Sequence, residues 1–360
     1  MPVLIRSGLN LKVFMEKKIG AINGLRGFAI LAVIYQHVFS KYTPSGLMVN
    51  HFPAGLKLYP LALLSNGWFG VQLFFMLSGF VLYLPYARER RRMSAFTDTV
   101  VYYKRRASRL LPLYYIAFVV AVLLWNINLD ANFMRHFILM MTVTFNFTQD
   151  FYTPWYNSDL WSIGLEILFS VLFPLFVLLA RRIGAGRLFF VVAFISLAVR
   201  VVGAYMPQFE IPGSSLSVIR DSIAGRMDDF ALGMFICGLY VNGVKFTDFA
   251  KPWLLVIVGF CFLFIGANMW DSIALGRAGI IIAPFTNSVN QAGFFLIICA
   301  ALSVDAGALN FMVTNRFMQV LGMMSYSLYI WNHFVLRLVT RTGLIFAKAE
   351  AYPYSVFTLS

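Results

Sequence analysis

The chain has 360 residues, 60% of them hydrophobic and only 12% charged, with a mean hydropathy of +0.76. A soluble domain carries about 25% charged residues, so a polytopic membrane protein is the class that fits. The net charge of +14 does not indicate nucleic-acid binding, because Lys and Arg cluster beside apolar runs, as at Arg88, Arg90, Arg91 and Arg92. That is the pattern of cytoplasmic loops.

Apolar segments over 19–40, 67–86, 108–127, 134–148, 158–180, 188–206, 228–243, 252–270, 286–304 and 318–346 are the candidate spans. Each approaches the ~20 residues needed to cross ~30 Å of hydrocarbon, except 134–148 and 228–243, which are short. The expectation is an all-α polytopic membrane helix bundle of about ten transmembrane helices, forming one domain over 1–360. The first run lacks a small-residue cleavage pattern and is expected to stay as an anchor. The chain closes on 355–360, which reads as the opening of another apolar helix. Cys237, Cys261 and Cys299 sit in apolar segments without metal-ligand spacing, so neither a disulfide framework nor a metal site is expected.

Lys12, Lys17 and Lys18 place the N-terminus in the cytoplasm, and the runs 88–92 and 104–109 return there after two crossings. The loop 41–66, with Pro44, Pro53 and Pro60, then lies outside. If 134–148 crosses fully, Arg181, Arg182 and Arg187 fall outside against the charge bias; if it is re-entrant, they stay inside.

In the first helix, Arg26 and His37 are eleven residues apart. That is three α-turns plus roughly 20°, so both face one way, about 16 Å apart along the axis. An ionisable residue at membrane depth is costly and points to function, although a hydrogen-bonded core histidine and a snorkelling arginine are the plain alternatives. Neutral imidazole is suited to act as a general base. In the second segment, Gly70, Ser78 and Gly79 are small enough for another helix to approach closely; Ser78 has no base beside it in sequence.

The run 102–115 is dense in cations, with Lys104, Arg105, Arg106 and Arg109 flanked by tyrosines. Arg106 and Arg109 are three apart and share a helical face. Guanidinium groups grip phosphate in bidentate fashion, which would suit a phosphorylated cofactor from the cytosol; plain positive-inside anchoring is the other reading. Further on, Asp159 is a candidate helix N-cap, Ser162 lies one turn before Glu166, and Glu166 is the one glutamate within a candidate span. Such a carboxylate needs a cationic or hydrogen-bonding partner. In the last segment Tyr326, Tyr329 and His333 form one stripe, lining a cavity or binding two helices together. His51 and His136 fall near loops and carry no functional reading.

Five segments occur in the order found in the acyltransferase-3 membrane family, which the chain resembles over about 20–335. They are Arg26 with His37, the run 74–80, Arg106 with Arg109 and Pro112, the run 161–166, and the run 325–329. The resemblance implies transfer of an acyl group, usually acetyl from acetyl-CoA, to a hydroxyl of a glycan such as O-antigen or another surface polysaccharide. It implies a bacterial inner-membrane enzyme in contact with lipid and with a glycan or lipid-linked glycan. His37 and Arg26 match the essential pair of the first helix, with Glu166 joining them as a catalytic candidate. Arg106 and Arg109 match the arginine motif linked to the acyl donor, with Lys104 and Arg105 beside them. Ser162, Tyr326 and His333 are candidates for acceptor binding. The chain departs from the family pattern at Gly164 and Ile167, and at Asn332, which stands where a histidine normally follows the tryptophan. Two rivals share the same residues. One is a transporter or flippase with a proton path through His37, Glu166 and His333; the other is a non-catalytic binder of glycan or lipid.

Overall fold

A computed structural model of the chain describes residues 2–39, 62–124, 130–154, 156–212, 214, 216–274, 282–303 and 308–341. His51, the prolines of the loop after the first helix and the run 355–360 lie outside the described residues. The fold is all-α, and the described residues contain no β-strand, only an isolated bridge between Glu210 and Ser217. In lipid every backbone N–H and C=O must be satisfied within its own segment, and apolar runs of this length meet that requirement as helices.

The helices are α1 (Pro2–Phe39), α2 (Ala62–Ser65), α3 (Phe69–Ala87), α4 (Phe96–Leu124), α5 (Ala131–Met141) and α6 (Leu160–Ile183). They continue as α7 (Ala185–Ala204), α8 (Ile223–Val241), α9 (Pro252–Ala274), α10 (Ala283–Ser303), α11 (Ala308–Thr314) and α12 (Arg316–Arg341). Among the described residues, six of them (α3, α4, α6, α7, α9 and α10) are long and apolar enough to cross a membrane. Each of the ten expected segments contains a helix among the described residues, but α5 has only 11 residues, about 16 Å, and does not reach across ~30 Å of hydrocarbon by itself.

Residue pairs fix the direction of each helix. Ala29 meets Gly70 and Ala32 meets Gly67, so α1 and α3 are antiparallel. Tyr102 bonds Ser170 and Arg106 bonds Glu166, so α4 and α6 are antiparallel too. Phe75 meets Phe230 and Phe80 meets Tyr240, which makes α3 and α8 parallel. Ser196 bonds Ala224 while Phe189 stacks on Phe235, which opposes α7 to α8. Asn23 meets Gly322 and His37 meets Asn332, so α12 runs parallel to α1.

The long helices therefore alternate up and down. The cations of the α3–α4 turn, those around the α6–α7 turn (Arg181, Arg182, Arg187) and those of the α8–α9 turn (Lys245, Lys251) gather at one end of the bundle. The short α5 removes the conflict in the charge pattern, since Arg181 falls at the same end as Arg88. Gly184, at φ +86°, makes the α6–α7 turn in one residue, a backbone conformation that favours glycine.

The core is aromatic. Phe75, Phe230 and Phe169 stack with centroids 4.6 and 4.0 Å apart, tying α3, α8 and α6 together. Of the small residues expected to admit a neighbour, Gly70 abuts Ala29 of α1 and Gly79 abuts Phe230 of α8.

Candidate active site

The candidate residues converge on a seam between α1, α3, α4, α6 and α12, but they form two groups. The first surrounds a cavity of about 50 Å³, lined among others by Arg26, Ser78, Arg109, Ser162, Glu166, Tyr326 and Tyr329. Arg106 sits directly behind Glu166. Its guanidinium is buried and donates to Glu166 Oε1 at 2.6 Å and to Ser170 Oγ at 2.8 Å. Ser78 Oγ adds a second bond to Glu166 Oε1 at 3.1 Å, so this serine, predicted to be architectural, also orients the carboxylate.

Arg26 and Arg109 are different. Arg26 Nε is buried with no hydrogen-bond partner, and neither arginine forms an ion pair with the described residues. Around this cavity three guanidinium groups therefore stand against one carboxylate. The expected pairing of Arg106 with Arg109 on one face is divided in function: Arg106 turns to Glu166, while Arg109 faces the cavity and remains exposed. Lys104 and Arg105 are exposed on the outside of α4. The sequence predicted 104–109 as a cytoplasmic run before a span beginning at 108, whereas α4 already begins at Phe96. Arg106 consequently lies ten residues into the helix, about 15 Å from its start.

The second group surrounds His37, in the last turn of α1. His37 Nδ1 lies 2.9 Å from Asn332 Oδ1, and Nε2 lies 3.4 Å from Asp159 Oδ1. The His333 ring stands edge-on to it at 6.5 Å. Glu166 and Arg26 do not touch His37, because three helical turns separate the groups. The residues that orient the imidazole are Asp159 and Asn332, neither of which the sequence marks for this role. The signal for Asn332 was its departure from the family pattern.

Ser162 and Tyr329 join the two groups. Both line the cavity; Ser162 Oγ donates to the Asp159 carbonyl at 3.0 Å and lies within hydrogen-bond distance of Tyr329 OH, at 2.8 Å. Tyr326, one turn away, donates to the Leu110 carbonyl at 2.6 Å and holds α12 against α4. The stripe of Tyr326, Tyr329 and His333 thus faces the seam along its length. His136 is apart from it, buried among Phe118, Phe151 and Tyr156; burial pushes it down to about 4, so it is neutral at physiological pH.

A further buried polar cluster went unread in the sequence. Arg200 pairs with Asp228 at 2.8 Å and Arg226 with Asp229 at 3.7 Å, and Gln72, Asn287 and Gln291 bond to the same groups. The signal was Arg226, Asp228 and Asp229 together inside an apolar stretch.

Comparison with known proteins agrees with the family resemblance read from the sequence. The chain is 23% identical over 350 residues to O-acetyltransferase OatA of Staphylococcus aureus, covering 89% of this chain and 51% of that one. It is 27% identical over 241 residues to acyltransferase MdmB of Streptomyces mycarofaciens, covering 63% of this chain and 59% of that one. The chain thus spans about half the length of the curated relatives it matches. No solved structure matches it. The profile of the family described as an acyltransferase domain matches residues 19–359, so that nearly the whole bundle, with both groups of the seam, falls inside the match. On that extent the chain belongs to the acyltransferase-3 family.

Proposed function

We propose that the protein is a membrane-embedded O-acyltransferase that moves an acyl group, most simply acetyl, from cytosolic acetyl-CoA to a hydroxyl of a surface glycan such as O-antigen or exopolysaccharide. The observation that carries this reading is the cavity with two unpaired arginines on the seam that leads to His37. An excess of guanidinium groups in a partly desolvated cavity favours an anion, and guanidinium grips phosphate in bidentate fashion.

Arg109, with Arg26 deeper in, holds the phosphates of the donor. Arg106 fixes Glu166, which limits the positive charge of the cavity and orients its carboxylate toward the bound donor. About 16 Å separates Arg26 from His37 along α1, a distance that the flexible arm joining the phosphates to the thioester of CoA can follow. The acceptor reaches His37 from the opposite end, near Asp159. His37 takes the proton of the acceptor hydroxyl, and the oxygen attacks the acyl carbon. With the N-terminus cytoplasmic, as the gathering of cations at one end supports, the donor enters from the cytosol and the acceptor from outside the bacterial inner membrane.

O-acetyltransferase OatA carries acetyl transfer to an oxygen in its name, which favours this chemistry over transport. The test is consumption of labelled acetyl-CoA by membranes containing the protein, together with mass spectrometry of surface glycans with and without it. An acetyl-sized mass difference, lost in His37→Ala, is the expected result. Unchanged glycan masses with unconsumed label would overturn the reading.

A further inference from the structure

The His37 ring has a polar neighbour at each nitrogen, and the partner at Nδ1 has no choice of role. Asn332 Nδ2 donates to Asp159 Oδ2 at 3.2 Å and to the Tyr329 carbonyl at 2.8 Å. Both targets are acceptors only, so the amide nitrogen must point to them, and the amide oxygen is the atom left facing His37. A bond from His37 Nδ1 to that oxygen requires the proton on Nδ1. Neutral His37 then carries its lone pair on Nε2; Asp159 Oδ1, also an acceptor, lies 3.4 Å away and gains a hydrogen bond only once Nε2 is protonated.

Asp159 is spared from the local duty its position suggests. It precedes α6 at the N-cap, yet its side chain caps no backbone N–H. Its backbone is fixed instead by others: Asn157 Oδ1 accepts from the Asp159 N–H at 3.1 Å, and the Ser162 hydroxyl donates to the Asp159 carbonyl. Asn157 Nδ2 also donates to the Ile330 carbonyl at 2.9 Å, which locks the start of α6 to α12. The carboxylate is left with two partners, Asn332 and His37.

We propose that Asn332 and Asp159 are positioning residues that set the protonation geometry of His37. Asn332 fixes the Nδ1–H tautomer and so makes Nε2 the atom that takes the proton, and Asp159 stabilises the imidazolium that results. The inference rests on the reading of His37 as the proton acceptor. In the step, the acceptor O–H bond breaks to Nε2 and its oxygen bonds to the acyl carbon. The thioester C–S bond breaks with its electron pair on sulfur, and the proton passes from Nε2 to the thiolate, which restores the neutral ring. The positive ring exists only between those proton transfers, and during that interval it faces a carboxylate. Asparagine, unlike the histidine found at this place in the family pattern, does not titrate, so it holds Nδ1 in one role at every pH.

The tautomer is read directly by nitrogen-15 NMR of the full chain with labelled histidine; four histidines make assignment by single substitution practical. Neutral His37 is expected as the Nδ1–H form in the wild type and as the Nε2–H form or a mixture in Asn332→Leu. Asp159→Asn, which keeps the shape of the side chain, is expected to lower kcat by about 10²-fold with the KM for acetyl-CoA unchanged. Asp159→Glu is expected to recover part of that loss. A wild-type His37 in the Nε2–H form, or full kcat in Asp159→Asn, overturns the proposal. Full transfer by His37→Ala instead overturns the reading beneath it, so the two failures are distinguishable. The wild-type NMR measurement needs no variant to fold.

Discussion

Two clusters of arginines and carboxylates sit inside this bundle, and their charge balance separates them. Between α7, α8 and α10, Arg200 faces Asp228, and Arg226 faces Asp229 with Asp221 at 4.0 Å, so no guanidinium there lacks a carboxylate, and amides pack around them. Along the α1–α4–α6 seam, Arg26, Arg106 and Arg109 face Glu166 alone, around a cavity. A balanced, packed cluster holds helices together. An unbalanced one that encloses space is built to receive a charge from elsewhere. The presence of charge in a membrane bundle therefore does not locate a site; the deficit of partners does.

Substitutions break this comparison if it is wrong. The largest effect is expected at the far end of the seam. His37→Ala should lower acyl transfer by about 10²- to 10⁴-fold, the contribution of a general base, without loss of folded protein in detergent. Asp228→Ala should do the opposite. It strands Arg200, at 4% exposure, without its carboxylate, and should destabilise the bundle by about 3–5 kcal/mol in thermal unfolding while any folded fraction keeps its KM for acetyl-CoA. Arg109→Ala should raise that KM by about 10- to 100-fold, the worth of one charge-assisted contact, and change stability little because the side chain is exposed and unpaired.

The smallest effect concerns His136, which belongs to neither cluster. Its proton affinity is depressed in the folded protein to about 4, below the ordinary value near 6.5, so the unfolded chain binds the extra proton between those values. Its contribution is complete above about pH 6.5 and is lost as pH falls toward 4. Melting temperature should decline over that window more steeply in the wild type than in His136→Phe.

Much of the fold was legible because the signal was strong: ten apolar runs gave ten helices. The exception, α5, was visible as a short run and a charge conflict, and only the paired directions of α1 and α12 and of α4 and α6 decide it. The extent of α4 was not legible, because Lys104 and Arg105 project from the outside of a helix whose inner face carries Tyr102, Arg106 and Leu110, with Arg109 at the edge of the cavity. Cationic density looked like a loop when it was one side of a helix. The spacing of Arg26 and His37 placed them on one face correctly, but spacing along one helix says nothing of partners from elsewhere. Asp159 and Asn332 lie 173 residues apart in sequence, and that separation hid their bond to each other. Capping statistics even pointed the Asp159 side chain the wrong way.

The central claim is that the unpaired arginines, and not His37, bind the acyl donor. Isothermal titration of purified full-length chain with CoA tests it most directly. The wild type and His37→Ala should bind with equal affinity, and Arg109→Ala at least ~10-fold more weakly. Equal binding by Arg109→Ala and the wild type would contradict the assignment of the cavity.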